Sequence, residues 1–435
     1  MWAEKALKEA LKEADQAEVL EISSSFRRVL VENNKVVYFE TSSENSLRVM
    51  VVKEKRVGLA SVNSLTEERI REAVQTAVAF MKTSRPDPEF CTLISPKPLS
   101  AVSEIFDNKI ASAEPSEVVD YVLKAVEKAK AGKTVITQGE VYLGVSTLRL
   151  VNSEGVDVEY SKTRASFSIT LTAYGKSGGS ESFRERSTIY WEDLKLEENV
   201  GELAELAHKT LSPEKIEPGE YTVLMAPDAV SQIISVIAFA ANADNVRKKR
   251  SPWAERLNTE VASKQLTVVD DGTLPRGVRT APCDGEGYPT KKKTVIEKGV
   301  LKTYLYDYYT ARLMNTESTG NASLSRPFPA IAATNLIIEA GAKSFEDLVS
   351  EVKKGVYIPR LPPTFINPIT GDFSAELRQA FLIENGELTK PVRWGMVAGN
   401  AYALMQSIVE VASDKTQLGS IITPSILFEK VRITG

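Results

Sequence analysis

The chain has 435 residues, 43% of them hydrophobic and 26% charged, with a formal net charge of −4. That length allows two or three domains with an ordinary buried core, and the charge excludes a domain built mainly to grip nucleic acid. Two cysteines (Cys91 and Cys283) and one histidine (His208) exclude a disulfide framework, a cysteine-built zinc centre and any site needing two imidazoles.

A charged amphipathic helix over 1–13 opens the chain and does not read as a signal peptide. No apolar run nears the roughly 20 residues that span a bilayer. A reducing, cytoplasmic compartment fits, and the Lys- and Glu-rich composition is of the kind thermophile proteins show. Strands follow near 18–24, 26–32, 35–40, 46–53 and 57–61. A helix over 66–82 starts after Thr66, with Glu67 and Glu68 in its first turn. A proline-rich loop over 84–114 precedes a helix over 116–131. A second run of strands follows near 134–150, 156–161, 164–174 and 180–189, closed by a helix near 193–211. His208 lies off the apolar stripe of Val200, Leu203, Ala207 and Leu211, as a surface residue does. The two runs align at an offset of 120, with Leu30 on Leu150, Val36 on Val156, Ser46 on Ser166 and Gly58 on Gly178. Either the N-terminal half is a duplicated α+β unit, or two alternating hairpins merely look alike.

Pro213 and Pro218 mark a boundary. They give an N-terminal α+β domain over 1–213 and a C-terminal, antiparallel β-rich domain over 214–435. The second opens with a strand over 219–226. A helix then runs over 228–242 with Asp228 as N-cap. Its sequence, AVSQIISVIAFAANA, is apolar almost all round, so it is buried with the β domain wrapped around it. Hairpins are expected around 297–299 and at the dipeptide Asn385-Gly386. Short helices fall near 307–315, 344–354 and 400–412. The fold class is α+β.

Asp270, Asp271, Asp284 and Glu286 could hold a hard cation. Their Asp-Gly and Glu-Gly context reads better as turn chemistry. Two basic runs, over 247–250 and 291–293, lack aromatic interleaving and read as solvated loops. Tyr304, Tyr306, Tyr308 and Tyr309, with Asp307 and Arg312, form the densest aromatic patch. Alternation puts Tyr304 and Tyr306 on one strand face, for a peptide groove, an interface or core packing. Asn321 and Asn400 each follow a glycine, as turns with positive φ prefer. Cys283 as a nucleophile needs a base, and His208 is remote in sequence.

Several motifs of the second half occur in a fixed order: Cys283-Asp-Gly-Glu-Gly287, Glu297-Lys-Gly-Val-Leu301, Tyr304-Leu-Tyr306, Ser318-Thr-Gly-Asn-Ala322, Thr370-Gly-Asp-Phe-Ser374, Ile383-Glu-Asn-Gly-Glu387 and Ala398-Gly-Asn400. In order and spacing this set resembles the TldD/PmbA family, once named modulators of DNA gyrase. The resemblance implies paired subunits. A TldD-type chain carries a His-Glu-x-x-x-His zinc helix and a later cysteine. A PmbA-type chain, also called TldE, shares the fold without them. Here Ser235 and Ala240 stand where the histidines would be and Val236 where the glutamate would be. No cysteine follows Cys283. The resemblance therefore implies a non-catalytic subunit with no cofactor of its own. Zinc is expected in a TldD-like partner, and unfolded peptide as the substrate. Tyr304, Tyr306, Arg312 and Asn321 are the candidate contacts to peptide or partner. Without that partner, self-association as a dimer is expected. The rival readings are a hydrolase using Cys283 or the acidic cluster, and a regulator of a nucleic-acid enzyme such as gyrase.

Overall fold

Period-two alternation builds the first sheet of the computed structural model, which describes residues 2–176, 178–324 and 330–435. Helix α1 (Trp2–Ala10) leads into β1 (Gln16–Glu32), β2 (Lys35–Lys53), β3 (Arg56–Val62) and α2 (Glu67–Thr83). After the short α3 (Asn108–Ser112) the order recurs: α4 (Pro115–Ala131), β4 (Thr134–Asn152), β5 (Asp157–Gly175), β6 (Gly178–Thr188), then α5 (Leu196–Lys209). The six strands form one antiparallel sheet in the order β3-β2-β1-β4-β5-β6. Two helix-flanked, three-stranded units thus meet at β1 and β4, and the offset of 120 carries β1 onto β4 and β2 onto β5 nearly end to end.

Breaks expected at Ser25, over 41–45 and over 162–163 do not occur. Ser25 lies opposite Ser43 and Phe26 opposite Ser42 within one continuous ladder. Polar side chains do not end a strand where no proline removes a donor. The helix expected over 1–13 stops at Ala10, Met1 lying outside the described residues. Thr66 caps α2 by accepting from the Arg69 N–H.

Both faces of this sheet are covered. Along β1, Ala17 and Val19 pack with α1 and α2, while Leu20 and Ile22 face the other way. Along β5, Ala165, Phe167 and Ile169 pack under α4 and α5, while Val158 and Tyr160 face the other way. That second face meets the C-terminal half.

The C-terminal half begins with β7 (Glu214–Lys215), β8 (Gly219–Met225), α6 (Pro227–Ile234), α7 (Val236–Ala240) and α8 (Ala243–Arg247). Next come β9 (Val268–Asp271), β10 (Lys292–Glu297), β11 (Val300–Leu301), α9 (Tyr308–Leu313), β12 (Leu336–Ile338) and α10 (Phe345–Glu351). β13 (Lys354–Ile358), β14 (Asp372–Leu377), β15 (Ala380–Glu384), β16 (Glu387–Arg393), β17 (Gly395–Asn400) and α11 (Ala401–Gln406) follow. The chain ends with β18 (Ile408–Val411), β19 (Thr416–Leu418), β20 (Ile421–Thr423) and β21 (Ile426–Thr434). One six-stranded sheet runs β11-β10-β9-β12-β20-β19. A nine-stranded sheet runs β14-β17-β21-β8-β13-β15-β16-β7, with β18 also on β21. Most pairs are antiparallel, but β8–β13, β12–β20 and β7–β16 are parallel. The fold is α+β. Both expected hairpins form on two-residue turns, Lys298–Gly299 and Asn385–Gly386, with all four residues at positive φ.

The apolar helix is broken rather than continuous. Ala226, not Asp228, is its N-cap, because Pro227 takes the first helical position. The Asp228 carboxylate instead accepts from both terminal nitrogens of Arg186 in β6, at 2.7 and 2.8 Å, and ties the two halves together. The Ser235 hydroxyl donates to the Gln232 carbonyl at 2.6 Å where α6 gives way to α7. Val230, Ile233, Ile237 and Ala240 lie within the largest hydrophobic cluster, as the all-round apolar pattern requires. Of the two Gly-Asn pairs, Gly320 has φ +71°. Gly399 stays in β17, and Asn400 caps α11.

Carboxylates crowd the junction between the halves. Asp284 accepts from the N–H groups of Glu286 and Tyr288 at 3.0 Å and of Ala322 at 2.9 Å. Glu286 accepts from the Tyr308 N–H at 2.7 Å, and Asp307 from the Thr310 N–H at 2.7 Å. Asp271 accepts from the Thr273 N–H at 2.8 Å, and Asp270 pairs with Lys293 at 2.9 Å. The acidic residues thus serve turns, a helix cap and a buried ion pair. Burial pushes Asp284 up to about 7, and Glu18 to about 7 despite the opposing Arg48. Burial, then Asp307 and Asp284, raises Glu286 well above the usual carboxylate range.

The fold favours the neutral forms of these groups. Their stabilisation is full below about pH 4, where unfolded carboxyls also hold protons, and is lost as pH rises through the raised values. Stability to urea is expected to fall between pH 5 and pH 9. Glu286→Gln keeps an acceptor for the Tyr308 N–H, loses the ionisable proton, and is expected to fall less; parallel curves would refute this. A second test concerns Gly58, where an added Cβ would sit 1.9 Å from the Ala77 carbonyl oxygen and 2.6 Å from the Met81 nitrogen of α2. Gly58→Ala is expected to cost about 2–3 kcal/mol, the scale of overpacking, measured as a lowered urea midpoint.

Candidate functional site

Where the sheet meets the C-terminal half, the two surfaces do not close completely. A cavity of about 910 Å³ remains. Strand register sets its floor. Leu148 of β4 lies opposite both Ile22 of β1 and Tyr160 of β5, and one step along Ser146 lies opposite Lys162. All five side chains border the cavity because they share one face of the pleat. The walls come from Ala238 and Phe239 of α7, Asn242 beyond it, the loop carrying Arg279 and Cys283, and the extended segment 330–334.

The Lys162 ammonium donates to the carbonyls of Val278 at 2.8 Å and Thr280 at 3.1 Å, which fastens the loop to the floor. Burial, with Arg279 and Arg164 nearby, lowers it to about 8. Burial also raises the Tyr160 phenol. It pushes the Cys283 thiol up to about 12, with Asp284 adding to the effect. Such a thiol carries no thiolate at neutral pH and is a poor nucleophile. The single histidine is no help. His208 lies on α5 across the sheet, its Nε2 2.7 Å from the Gly132 carbonyl oxygen.

The positions expected to match a zinc helix do not border the cavity. Ser235 is exposed, while Val236 and Ala240 are in the core. The break at Ser235 turns Ala238, Phe239 and then Asn242 toward the cavity instead. Zinc needs imidazole, thiolate or carboxylate donors, and these three residues offer only one amide. The Asn242 amide donates to the Ile331 carbonyl at 3.2 Å, and its oxygen caps α8. This wall does not fit zinc. Among the described residues, no three His, Cys, Asp or Glu side chains gather as a metal-binding group.

The four candidate contact residues separate. Tyr304 and Tyr306 are buried in the C-terminal core, at 4% and 8% exposure, with rings edge-on at 6.4 Å. The Tyr304 hydroxyl donates to the Trp253 carbonyl at 2.6 Å. Residues 302–304 form no regular strand, so strand alternation does not govern the pair. Asn321 is also buried and lies behind the cavity wall, donating to Asp270 at 2.8 Å and to the Ala332 carbonyl at 2.9 Å. Only Arg312 is exposed, stacked over the Tyr308 ring at 5.7 Å.

The basic runs are neutralised in part. Arg247 pairs with Glu89 at 3.0 Å and Asp244 at 3.2 Å, and Lys248 with Asp244 at 2.6 Å. Sequence reasoning missed Tyr160, Lys162, Arg279 and Phe239. A signal existed for two of them: after Val158 one face of the strand turns polar, through Tyr160, Lys162 and Arg164, while the other face becomes apolar from Ala165 onward. No helix of the described residues is long and apolar enough to cross a membrane.

Comparison with known proteins agrees with this architecture. Residues 17–79 match the PmbA/TldA metallopeptidase domain 1, residues 108–211 its central domain and residues 218–435 its C-terminal domain. An uncharacterized protein of Methanocaldococcus jannaschii is 29% identical over 99% of each chain. Metalloprotease PmbA of Escherichia coli O157:H7 is 27% identical over 99% of this chain and 94% of its own. The crystal structure of TldE from Thermococcus kodakarensis superposes with a TM-score of 0.92 at 26% identity, covering 100% of both chains. With matches running from Ala17 to the last residue, the chain belongs to the PmbA/TldD metallopeptidase family.

Proposed function

We propose that this chain is the non-catalytic, TldE-like subunit of a two-chain peptidase, in which a TldD-like partner supplies the zinc and cleaves unfolded peptide. The cavity wall is the main support. Where a zinc-dependent relative would need imidazoles and a general base, this wall presents Ala238, Phe239 and an Asn242 already committed to α8. The likeness to TldE of Thermococcus kodakarensis, along the full length of both chains, is the second support. The cavity admits a stretch of extended peptide, and segment 330–334 lies beside it as a strand-like wall. Cytoplasmic residence, and self-association when the partner is absent, belong to the same reading. The raised Cys283 thiol speaks against a cysteine hydrolase. The acidic net charge, with Arg247 and Lys248 held by acids, speaks against a nucleic-acid regulator.

The test is reconstitution. With zinc and an unstructured peptide, the chain alone is expected to release no fragments, and the chain with its TldD-like partner to cleave. Cleavage by the purified chain alone overturns the proposal. In the reconstituted pair, Cys283→Ala is expected to leave the rate unchanged; a loss of tenfold or more at unaltered thermal stability would return the cysteine to the chemistry.

A further inference from the structure

The floor and one wall of the cavity carry positive charge that no acid neutralises. Lys162 and Arg279 border the cavity, and Arg164 lies two residues along the same strand face from Lys162. Every hydrogen-bond partner of the three is neutral: the Val278 and Thr280 carbonyls for Lys162, the Ser187 hydroxyl for Arg164 at 3.0 Å and the Ala333 carbonyl for Arg279 at 2.9 Å. Among the described residues none of them pairs with a carboxylate. This contrasts with Arg149, Arg186, Arg247 and Arg276, each of which holds one. The Tyr160 hydroxyl, on the same face as Lys162, has no partner among the described residues.

The acids that border the cavity are already committed. Asp244 is held by Arg247 and Lys248. Asp284 is buried, accepts three backbone N–H groups and is raised to about 7 by burial. Spare donors therefore outnumber spare acceptors. Lys162 has three N–H groups and uses two, while Arg279 has five and uses one. Apolar side chains share the lining with these donors: Ile22 and Leu148 on the floor, Phe239 and Ile331 on the walls. A volume of about 910 Å³ holds several amino-acid residues.

We propose that the floor of this cavity is a carboxylate subsite, in which Lys162, Arg279 and the Tyr160 hydroxyl take the carboxylate of a peptide whose apolar side chains fill the rest. The carboxylate comes from the peptide C-terminus or from an acidic side chain near it. The guanidinium fork of Arg279 matches the two oxygens, and the ammonium adds a point charge. The subsite rests on the reading of the cavity as a place of peptide entry and adds the part of the peptide it selects.

The test uses the purified full chain alone, without partner or zinc, so cleavage plays no part. Fluorescence anisotropy compares three N-terminally labelled Leu-Ala-Ala-Leu-Ala peptides: the free acid, the C-terminal amide, and the amide with aspartate in place of the last residue. The free acid or the aspartate peptide is expected to bind at least about tenfold tighter than the plain amide, the scale of one charge-assisted hydrogen bond. Whichever of the two binds tighter identifies the source of the carboxylate. Arg279→Gln and Lys162→Gln are each expected to abolish that difference and to leave plain amide binding unchanged. Arg279 is exposed, so its variant keeps the test open if Lys162→Gln disturbs the loop it fastens. Equal binding of all three peptides overturns the subsite and leaves peptide entry standing. No binding of any peptide overturns both. A preference for the acid that survives in Arg279→Gln and Lys162→Gln alike overturns the assignment of residues.

Discussion

The six-stranded sheet must bury both of its faces, and nearly everything else in the molecule follows from that. One face takes α1 and α2 at one end and α4 and α5 at the other, each pair over its own three strands. The opposite face has no helices of its own and is covered by the C-terminal half, through Leu20, Leu148, Leu150, Val156 and Val158 against Cys283 and Tyr288, and by the loop carrying Phe90, Leu93 and Ile94. Because side chains alternate with a period of two, a one-residue slip of β1 or β4 would exchange the two faces. Register is therefore fixed from both sides. Specific polar ties then fix the halves against each other. The Arg186–Asp228 fork joins β6 to α6, Arg48 donates to the Leu324 carbonyl at 2.9 Å, and Lys162 holds the 278–280 loop.

The cavity lies where that face changes character. From Val158 toward Leu150 it is apolar and packs against the Cys283 and Tyr288 loop. One step past Tyr160 it carries Lys162, then Arg164, with Ser146 and Ser24 opposite, their hydroxyls 2.8 Å apart. Ammonium and hydroxyl groups cannot be pressed against apolar walls without partners, since each lost hydrogen bond costs about 1–3 kcal/mol. The 278–280 loop, whose carbonyls satisfy Lys162, comes down on this polar stretch, and the cavity opens beside it. The position of the cavity is written in the order of residues along β5.

Features that depend on neighbours in the chain were legible in sequence. Asn385-Gly386 demands positive φ at both positions and makes its hairpin. Thr66 caps α2 because an oxygen at that position meets an N–H three residues on. The all-round apolar run from Ala229 goes to the core. What depends on distant partners was not legible. Tyr304 reads as a contact residue until Trp253, 51 residues away, supplies the carbonyl that accepts from its hydroxyl. Asp228 reads as a cap until Arg186 claims it. Arg279 carries no local signal at all, because it becomes a cavity residue only when β5, α7 and the 330–334 segment converge on its loop. The long strands were missed for another reason: a serine-rich stretch suggests a turn, but a ladder with a partner on each side overrides that preference.

A zinc helix would not fit this backbone by a change of ligands alone. Writing histidine at Ala240 would place an imidazole in the largest hydrophobic cluster, at a position 0% exposed, and glutamate at Val236 would bury a carboxylate there at 3%, while histidine at Ser235 would face solvent. Burying a polar ring without a partner costs several kcal/mol, and the nitrogen would still not reach the cavity. Histidine at Ala238 or Phe239 would reach it, but the break at Ser235 and the cap at Asn242 confine α7 to five residues. On a regular helix two side chains five positions apart point roughly 140° away from each other, so a metal pair at that spacing depends on the local course of the helix as well as on its ligands. A zinc centre on this wall would therefore need new donors, the release of Asn242 from α8 and a different course of the backbone around Ser235. The backbone here is built around an apolar helix, and its side chains, caps and breaks all fit that use.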